Sequence, residues 1–275
     1  MKHYLLAILL LCAAGCQTPL SAPPAERPPV PMVAVPRVAT PLAIDGRLDE
    51  PVWAHAAVIP ALLPCRNKTD EHLTPLPATV RLLWDPNYLY VGLTCAATNL
   101  YLTGRLSHDG PLHEEDVFEI FIDGKGDGQQ NFEIQINADN VTCDIMNVVT
   151  VPVQCTPDQI LTPEICLWDL WGFREWNMSG MKTATQKTLR DGRVVGWTAE
   201  LALPAFWIAR RSGLRQFEPM DLRANFVRMD WQREAPTGPR KMFQANWSPV
   251  MYGCPHISPW AMGTLRLEDR PAKEN

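Results

Sequence analysis

Several common chemistries lack the residues they require in this chain. The 275 residues carry a formal net charge of only −5, and no basic patch is interleaved with aromatics. Nucleic acid is therefore not an expected partner, because binding phosphates takes clustered lysine and arginine. No two cysteines have the C-x-x-C spacing of a zinc site. A nucleophile elbow and a glycine-rich phosphate loop are both missing. Glu114, Glu115, Asp116 and Glu119 supply carboxylates, but glycoside hydrolysis needs two of them facing each other about 5–9 Å apart across a bond. Neighbours on one strand do not provide that, and no second acidic site is evident, so the chain is not expected to be an enzyme. The acidic run is more simply a solvated start to a strand. Helical periodicity is confined to residues 205–211 after Pro204.

Long apolar runs are also scarce. Residues 4–11, behind Lys2 and His3, form an apolar run about half as long as the roughly 20 residues a membrane-spanning helix needs. The run reads as a secretory signal. Ala13-Ala14-Gly15-Cys16 resembles a bacterial lipobox, with Ala13 where leucine is usual. Acylation of Cys16 would anchor the protein to the bacterial cell envelope, periplasmic or surface-exposed. The expected organisation is a signal over 1–15, a Pro/Ala-rich tether over 16–40, a folded domain over 41–268 and a tail over 269–275. Proline removes backbone donors, so the tether is expected to stay out of any sheet. Of eight cysteines, Cys65, Cys95, Cys143, Cys155, Cys166 and Cys254 lie beyond the signal and its Cys16. An even number in an exported chain favours disulfides. Cys155 and Cys166 bracket a Pro-containing excursion and are the favoured pair.

The body has a period of two. Residues 79–84 and 88–94 flank an Asp85-Pro-Asn turn as a hairpin. Residues 117–123 and 132–137 flank a glycine-rich turn, and 193–203, 221–228 and 263–267 complete the set. Many short strands with Gly and Pro turns predict an all-β sandwich or barrel. Trp53, Trp84, Trp197 and Trp247 read as packing. Trp168, Trp171 and Trp176 with Phe173 crowd a predicted loop, which is either folded onto the sandwich or an exposed aromatic platform.

Seven motifs then follow one another in a recognisable order. They are Ile44-Asp-Gly-Arg-Leu-Asp-Glu50 with Trp53, Leu83-Trp-Asp-Pro-Asn-Tyr-Leu-Tyr-Val91, Asp116-Val-Phe-Glu-Ile-Phe-Ile-Asp123 and Gly196-Trp-Thr-Ala-Glu-Leu-Ala-Leu-Pro204. Asn225-Phe-Val-Arg228 with Trp231, Trp247-Ser-Pro249 and His256-Ile-Ser-Pro-Trp-Ala-Met-Gly263 complete the series. Over residues 41–267 the chain resembles family 9 carbohydrate-binding modules and their DOMON-like relatives. The resemblance implies an antiparallel β-sandwich of jelly-roll or DOMON-like form, with calcium in some members. It also implies a site where two tryptophans clamp a terminal sugar by stacking. The clamp positions fall on His113 and His256, and the polar positions on Glu119 and Gln135 with Asn137 nearby. Trp231 and Trp260 are neighbours that would supply replacement aromatic surface.

The expected function is non-catalytic binding of poly- or oligosaccharide by a lipid-anchored envelope module associated with polysaccharide catabolism. One alternative is an envelope structural or interaction protein whose sugar site is lost. Another is a haem-b domain ligated by His113 or His256, with Met251 and Met262 near the latter. Structural calcium has two candidate clusters, Asp123 with Asp127 in the glycine-rich turn, and Asp45, Asp49 and Glu50. The turn lacks the closing glutamate of an EF-hand and is more simply a hairpin connection. Glu119 shares its face with Val117 and Phe121, so it is either a ligand residue or a glutamate at a wet rim.

Overall fold

The computed structural model describes residues 30–64, 76–149, 170–233, 238–248 and 262–272. These form β1 (Met32–Arg37), β2 (Ala57–Ile59), β3 (Leu63–Pro64), β4 (Ala78–Trp84), β5 (Tyr88–Ala96), β6 (Val117–Asp123) and β7 (Gln130–Asn137). The later strands are β8 (Thr142–Val149), β9 (Leu170–Phe173), β10 (Lys182–Arg190), β11 (Arg193–Pro204), β12 (Asp221–Arg233), β13 (Arg240–Asn246) and β14 (Gly263–Pro271). They join edge to edge in the order β10-β11-β5-β4-β1-β14-β12-β6-β7-β8-β9. Strand β2 adds to β4, while β13 adds to β12 and carries β3.

The sheet curls so that its two halves face each other as the layers of a sandwich. Val80, Leu82, Leu89, Val91, Leu93, Ala199 and Leu201 from one half pack in a single core with Phe118, Ile120, Ile122, Ile134, Phe226 and Leu265 from the other. Trp84 is buried where the halves meet. Its indole N–H reaches the carbonyls of Val35 and Glu268, each at 3.1 Å. The turn after β4 is set by Asp85, whose Oδ1 accepts the backbone N–H groups of Asn87 (2.6 Å) and Tyr88 (2.8 Å). This is an Asx turn of the kind the Asp-Pro-Asn sequence favours.

Five expectations need correction. The sheet is mixed, because β1 runs parallel to both β14 and β4. Residues 32–37, assigned to the tether, are thus a central strand. Met32-Val-Ala-Val35 is a proline-free apolar run, and the register shifts between Pro36 and Arg37, beside the proline that lacks an N–H. The assigned tail is likewise shortened, since β14 continues to Pro271. The crowded aromatic segment contains an edge strand, β9, and its aromatics divide. Trp176 stacks on Phe132 at 5.0 Å, whereas Trp171 and Phe173 are exposed. Finally, Cys95 and Cys143 are buried free thiols, and burial pushes each up to about 12. Cys16, Cys65, Cys155, Cys166, Cys254 and Trp168 lie outside the described residues. No helix among the described residues is long and apolar enough to cross a membrane.

The turn after β6 sits beneath the helical turn Ala205–Ile208. A Cβ on Gly124 would collide with the backbone carbonyl of Ile208, which has no rotamer to yield. Gly124→Ala should therefore destabilise the fold by about 1–3 kcal/mol, read as a lower urea midpoint at unchanged m-value.

Candidate functional site

Directly opposed residues in an antiparallel pair share a face, so the register defines the site. On β6, Phe118, Ile120 and Ile122 point into the core, which turns Val117, Glu119 and Phe121 to the other side. Glu119 pairs with Gln135 and with Val227, Gln135 with Cys143, and Val227 with Asn246. The face away from the core thus carries Cys143, Gln135, Glu119, Val227 and Asn246 in one row. The adjacent row holds Ile145, Glu133, Phe121 and Asn225, with Asn131 opposite Asn147 beyond it.

The polar members form a chain of hydrogen bonds. Gln135 Nε2 donates to Glu119 Oε1 at 3.1 Å and to Glu133 Oε1 at 2.6 Å. Asn147 Nδ2 donates to Glu133 Oε2 at 3.2 Å and to Asn131 Oδ1 at 3.1 Å. Glu119 is 2% exposed and Gln135 4%. Carboxylates buried this deeply need such donors, and the two amides supply them. Glu119 is therefore not at a wet rim. Further along, Asn246 Oδ1 accepts from Gln244 at 3.2 Å. Asn246 Nδ2 and Ser248 Oγ are buried with no hydrogen-bond partner among the described residues.

One end of this face is aromatic. Trp231 extends the alternation of Val227 and Met229 on β12, and its indole N–H donates to the His113 carbonyl at 3.0 Å. His113 lies in the 3-10 turn Leu112–Glu114 with its side chain exposed. That turn is seated by Leu112, which packs with Val117, Cys143 and Met229 on the same face. Beneath it, Asp116 accepts the backbone N–H groups of Trp231 (2.6 Å) and Tyr101 (2.8 Å). Glu115 accepts from Thr103 N at 2.6 Å and from Asn137 Nδ2 at 3.0 Å. Glu115 and Asp116 are buried, so only Glu114 and its exposed neighbours fit the expected solvated strand start.

The structure thus sets Glu119 opposite Gln135, and places Trp231 with His113 further along the same face, beyond Met229. Asn137 serves local structure instead. Its Nδ2 binds Glu115, and its Oδ1 accepts the N–H groups of Asp139 and Val141, both at 3.0 Å, closing the β7–β8 hairpin. His256, Trp260 and Met251 lie outside the described residues. Met262 is fully buried against Phe121 and Val227, a poor position for a haem ligand.

The candidate calcium residues do not fit a cation. Asp123 accepts the N–H groups of Lys125, Gly126 and Gly128 at 3.0, 2.8 and 2.7 Å. Asp127 is clamped by Arg211 through two bonds of 2.8 Å. Asp45 accepts from Arg47 N at 2.9 Å, and Asp49 pairs with the Arg47 guanidinium at 3.1 Å. Glu50 Oε2 is buried without a partner among the described residues, yet a single oxygen is far short of the six to eight that calcium takes. In this region Glu200 is the organising carboxylate. It is fully buried and receives the N–H groups of Asp45, Gly46 and the Trp53 indole, each at 2.9 Å.

The family model described as "Carbohydrate family 9 binding domain-like" matches residues 44–156, from the opening motif to just past β8. Residues 44–156 thus resemble a family 9 carbohydrate-binding domain. A family 9 carbohydrate-binding module from Caldicellulosiruptor kristjanssonii, solved in complex with cellotriose, is similar with a TM-score of 0.57 at 16% identity, covering 87% of this chain and 94% of that one. The same kind of module in complex with glucose matches with a TM-score of 0.57 at 17% identity, covering 89% and 99%. A crystal structure of a protein from Bacteroides uniformis ATCC 8492 reaches a TM-score of 0.60 at 13% identity, covering 87% and 100%. At these identities the likeness is one of fold. No curated protein matches the chain.

Asn131, Asn147 and Asn246 were not legible as residues of this face. Strands β8 and β13 mix polar with apolar side chains on each face, which obscures the alternation that marks a strand.

Burial pushes Asp116 up to about 7, against the lowering effect of its two backbone hydrogen bonds. The folded chain then binds this proton more tightly than the unfolded chain. Its contribution is fully present below the unfolded value near 4 and is lost as pH rises towards 7, a change on the order of 2–4 kcal/mol. The thermal midpoint should fall from pH 4.5 to pH 7.5, and Asp116→Asn should flatten that slope whatever its own stability.

Proposed function

We propose that the face built around Glu119 and Gln135 binds the end of a poly- or oligosaccharide without catalysing its cleavage. The observation that carries this reading is the row of amide and carboxylate side chains on a sheet face turned away from the core, with Trp231 further along the same face of β12. Sugar hydroxyls both donate and accept, so they match a row that offers carboxylate oxygens, amide groups and an Asn246 Nδ2 with no partner among the described residues. An aromatic ring beside such a row provides a rigid surface for the apolar face of a pyranose. The fold adds support, since similar structures hold cellotriose and glucose. His256 and Trp260 would complete the aromatic end. Acylation of Cys16 would hold this module at the bacterial envelope, beside enzymes of polysaccharide breakdown.

A second reading rests on a specific observation. Glu119, Glu133 and Gln135 are already bonded to one another and buried, as expected of an envelope interaction protein whose sugar site has closed.

A glycan-array screen followed by calorimetry on the full chain separates the two. Binding of a glucose- or cello-type oligosaccharide is expected, weakened about tenfold or more by Trp231→Ala and by Gln135→Ala, since each tenfold step is ~1.4 kcal/mol. Absence of binding to every glycan by chain with a cooperative unfolding transition would favour the closed-site reading.

A further inference from the structure

A second cluster lies apart from the polar row, on the opposite face of β8. Asp144 pairs with Ile134, whose side chain is in the core, so Asp144 faces that side. Next to it, His108 and Asp109 come from the loop before the 3-10 turn, and Asn177 from the connection between β9 and β10. His108 Nε2 lies 3.4 Å from Asp109 Oδ2, 3.6 Å from Asp144 Oδ1 and 2.5 Å from Asn177 Oδ1. The His, Asp and Asp donor atoms all fall within 4.8 Å of one another.

The charge count of this cluster is unusual. Two carboxylates and an amide oxygen converge on one ring nitrogen, which can offer them a single proton. That proton reaches Asn177, and the carboxylate oxygens at 3.4 and 3.6 Å are beyond normal hydrogen-bond length. Asp109 Oδ1 is buried with no hydrogen-bond partner among the described residues. Asp144 has a side chain only 2% exposed, so its charge is costly to bury and leans on His108. The two carboxylates share at most the one positive charge of a protonated ring, where a divalent ion would supply two.

The distances and the supporting bonds both suit a metal. A tetrahedral site with bonds of about 2.0–2.1 Å has edges of roughly 3.4 Å, close to the two His–Asp separations. Metal-bound histidines donate their other ring N–H to a carbonyl or carboxylate. His108 Nδ1 lies 2.9 Å from the Thr142 carbonyl, which leaves Nε2 facing the aspartates. Asp144 is held in turn by the Met178 backbone N–H, and Asn177 Nδ2 donates to Glu175 O at 3.2 Å, which directs Oδ1 toward His108. All three are positioned by bonds that do not use the converging atoms.

We propose that His108 Nε2, Asp109 and Asp144, with Asn177 Oδ1 adjoining, form a binding site for one divalent metal ion of the zinc class. An imidazole ligand with few oxygens selects zinc or its transition-series neighbours over calcium, which takes six to eight oxygens. The ion would tie the loop before His113 to β8 and to the β9–β10 connection. It would thereby brace the segment that seats Leu112 on the saccharide face.

The test is titration of the metal-stripped full chain with Zn²⁺, Mn²⁺ and Ca²⁺, followed by calorimetry and by the thermal midpoint. One zinc equivalent is expected to bind and raise the midpoint, and Asp109→Asn and His108→Gln are each expected to weaken it about tenfold or more. Asp109→Asn keeps the loop's size and leaves the His108–Thr142 bond, so it guards against a folding defect in the histidine variant. Zinc binding that is unchanged in both folded variants would place the metal on other residues and overturn the proposal. So would no zinc binding by the folded wild-type chain, or calcium binding of equal strength that ignores His108.

Discussion

The structure depends on β6 and β7 being buried on both faces. One side of each strand lines the sandwich core with Phe118, Ile120, Ile122, Ile134 and Ile136. The other carries Glu119, Glu133 and Gln135 at least nine-tenths removed from water. A carboxylate in that position is tolerated only when donors surround it, and the donors must come from neighbouring strands. Gln135 on β7 meets this demand for Glu119 on β6, and Asn147 on β8 meets it for Glu133 on β7. The register among β6, β7 and β8 is consequently fixed twice, by the apolar contacts on one face and by the amide–carboxylate chain on the other. A one-residue slip would put Glu119 into the core and Phe118 into the polar row.

The same condition explains how much of the architecture could be read from residues. Strand β6 coincides with its predicted span, and β4, β5, β7 and β11 differ from theirs by two residues or fewer at each end, because Val, Ile, Leu and aromatic residues dominate or alternate there. Strand β10 was missed because Lys182-Thr-Ala-Thr-Gln-Lys-Thr188 carries no large apolar side chain. It is held by the edge of β11 and not by burial. Strand β1 was missed because flanking prolines mark a tether, while what decides its state is the space between β14 and β4.

Site legibility followed the same division. Glu119, Gln135, Trp231 and His113 were named through the order of motifs; the register sets Glu119 opposite Gln135, and Trp231 binds the His113 carbonyl. Asn137 belonged to the right strand but to the hairpin's own needs. The acidic loops read as calcium ligands are capped turns, because aspartate beside glycine serves both purposes and only the third dimension shows which N–H groups are in reach. His108, Asp109 and Asp144 stand in two segments separated by two strands, and their convergence has no sequence spacing that would announce it.

The parallel placement of β1 has a mechanical consequence. Its hydrogen bonds to β14 run alongside the strand from Met32 onward. A pull on the chain ahead of residue 30 would load these bonds together in shear, where an edge hairpin would open one bond at a time. Tension entering β1 is therefore borne by bonds loaded together, and Trp84, whose indole binds β1 and β14 at once, shares it between these two strands.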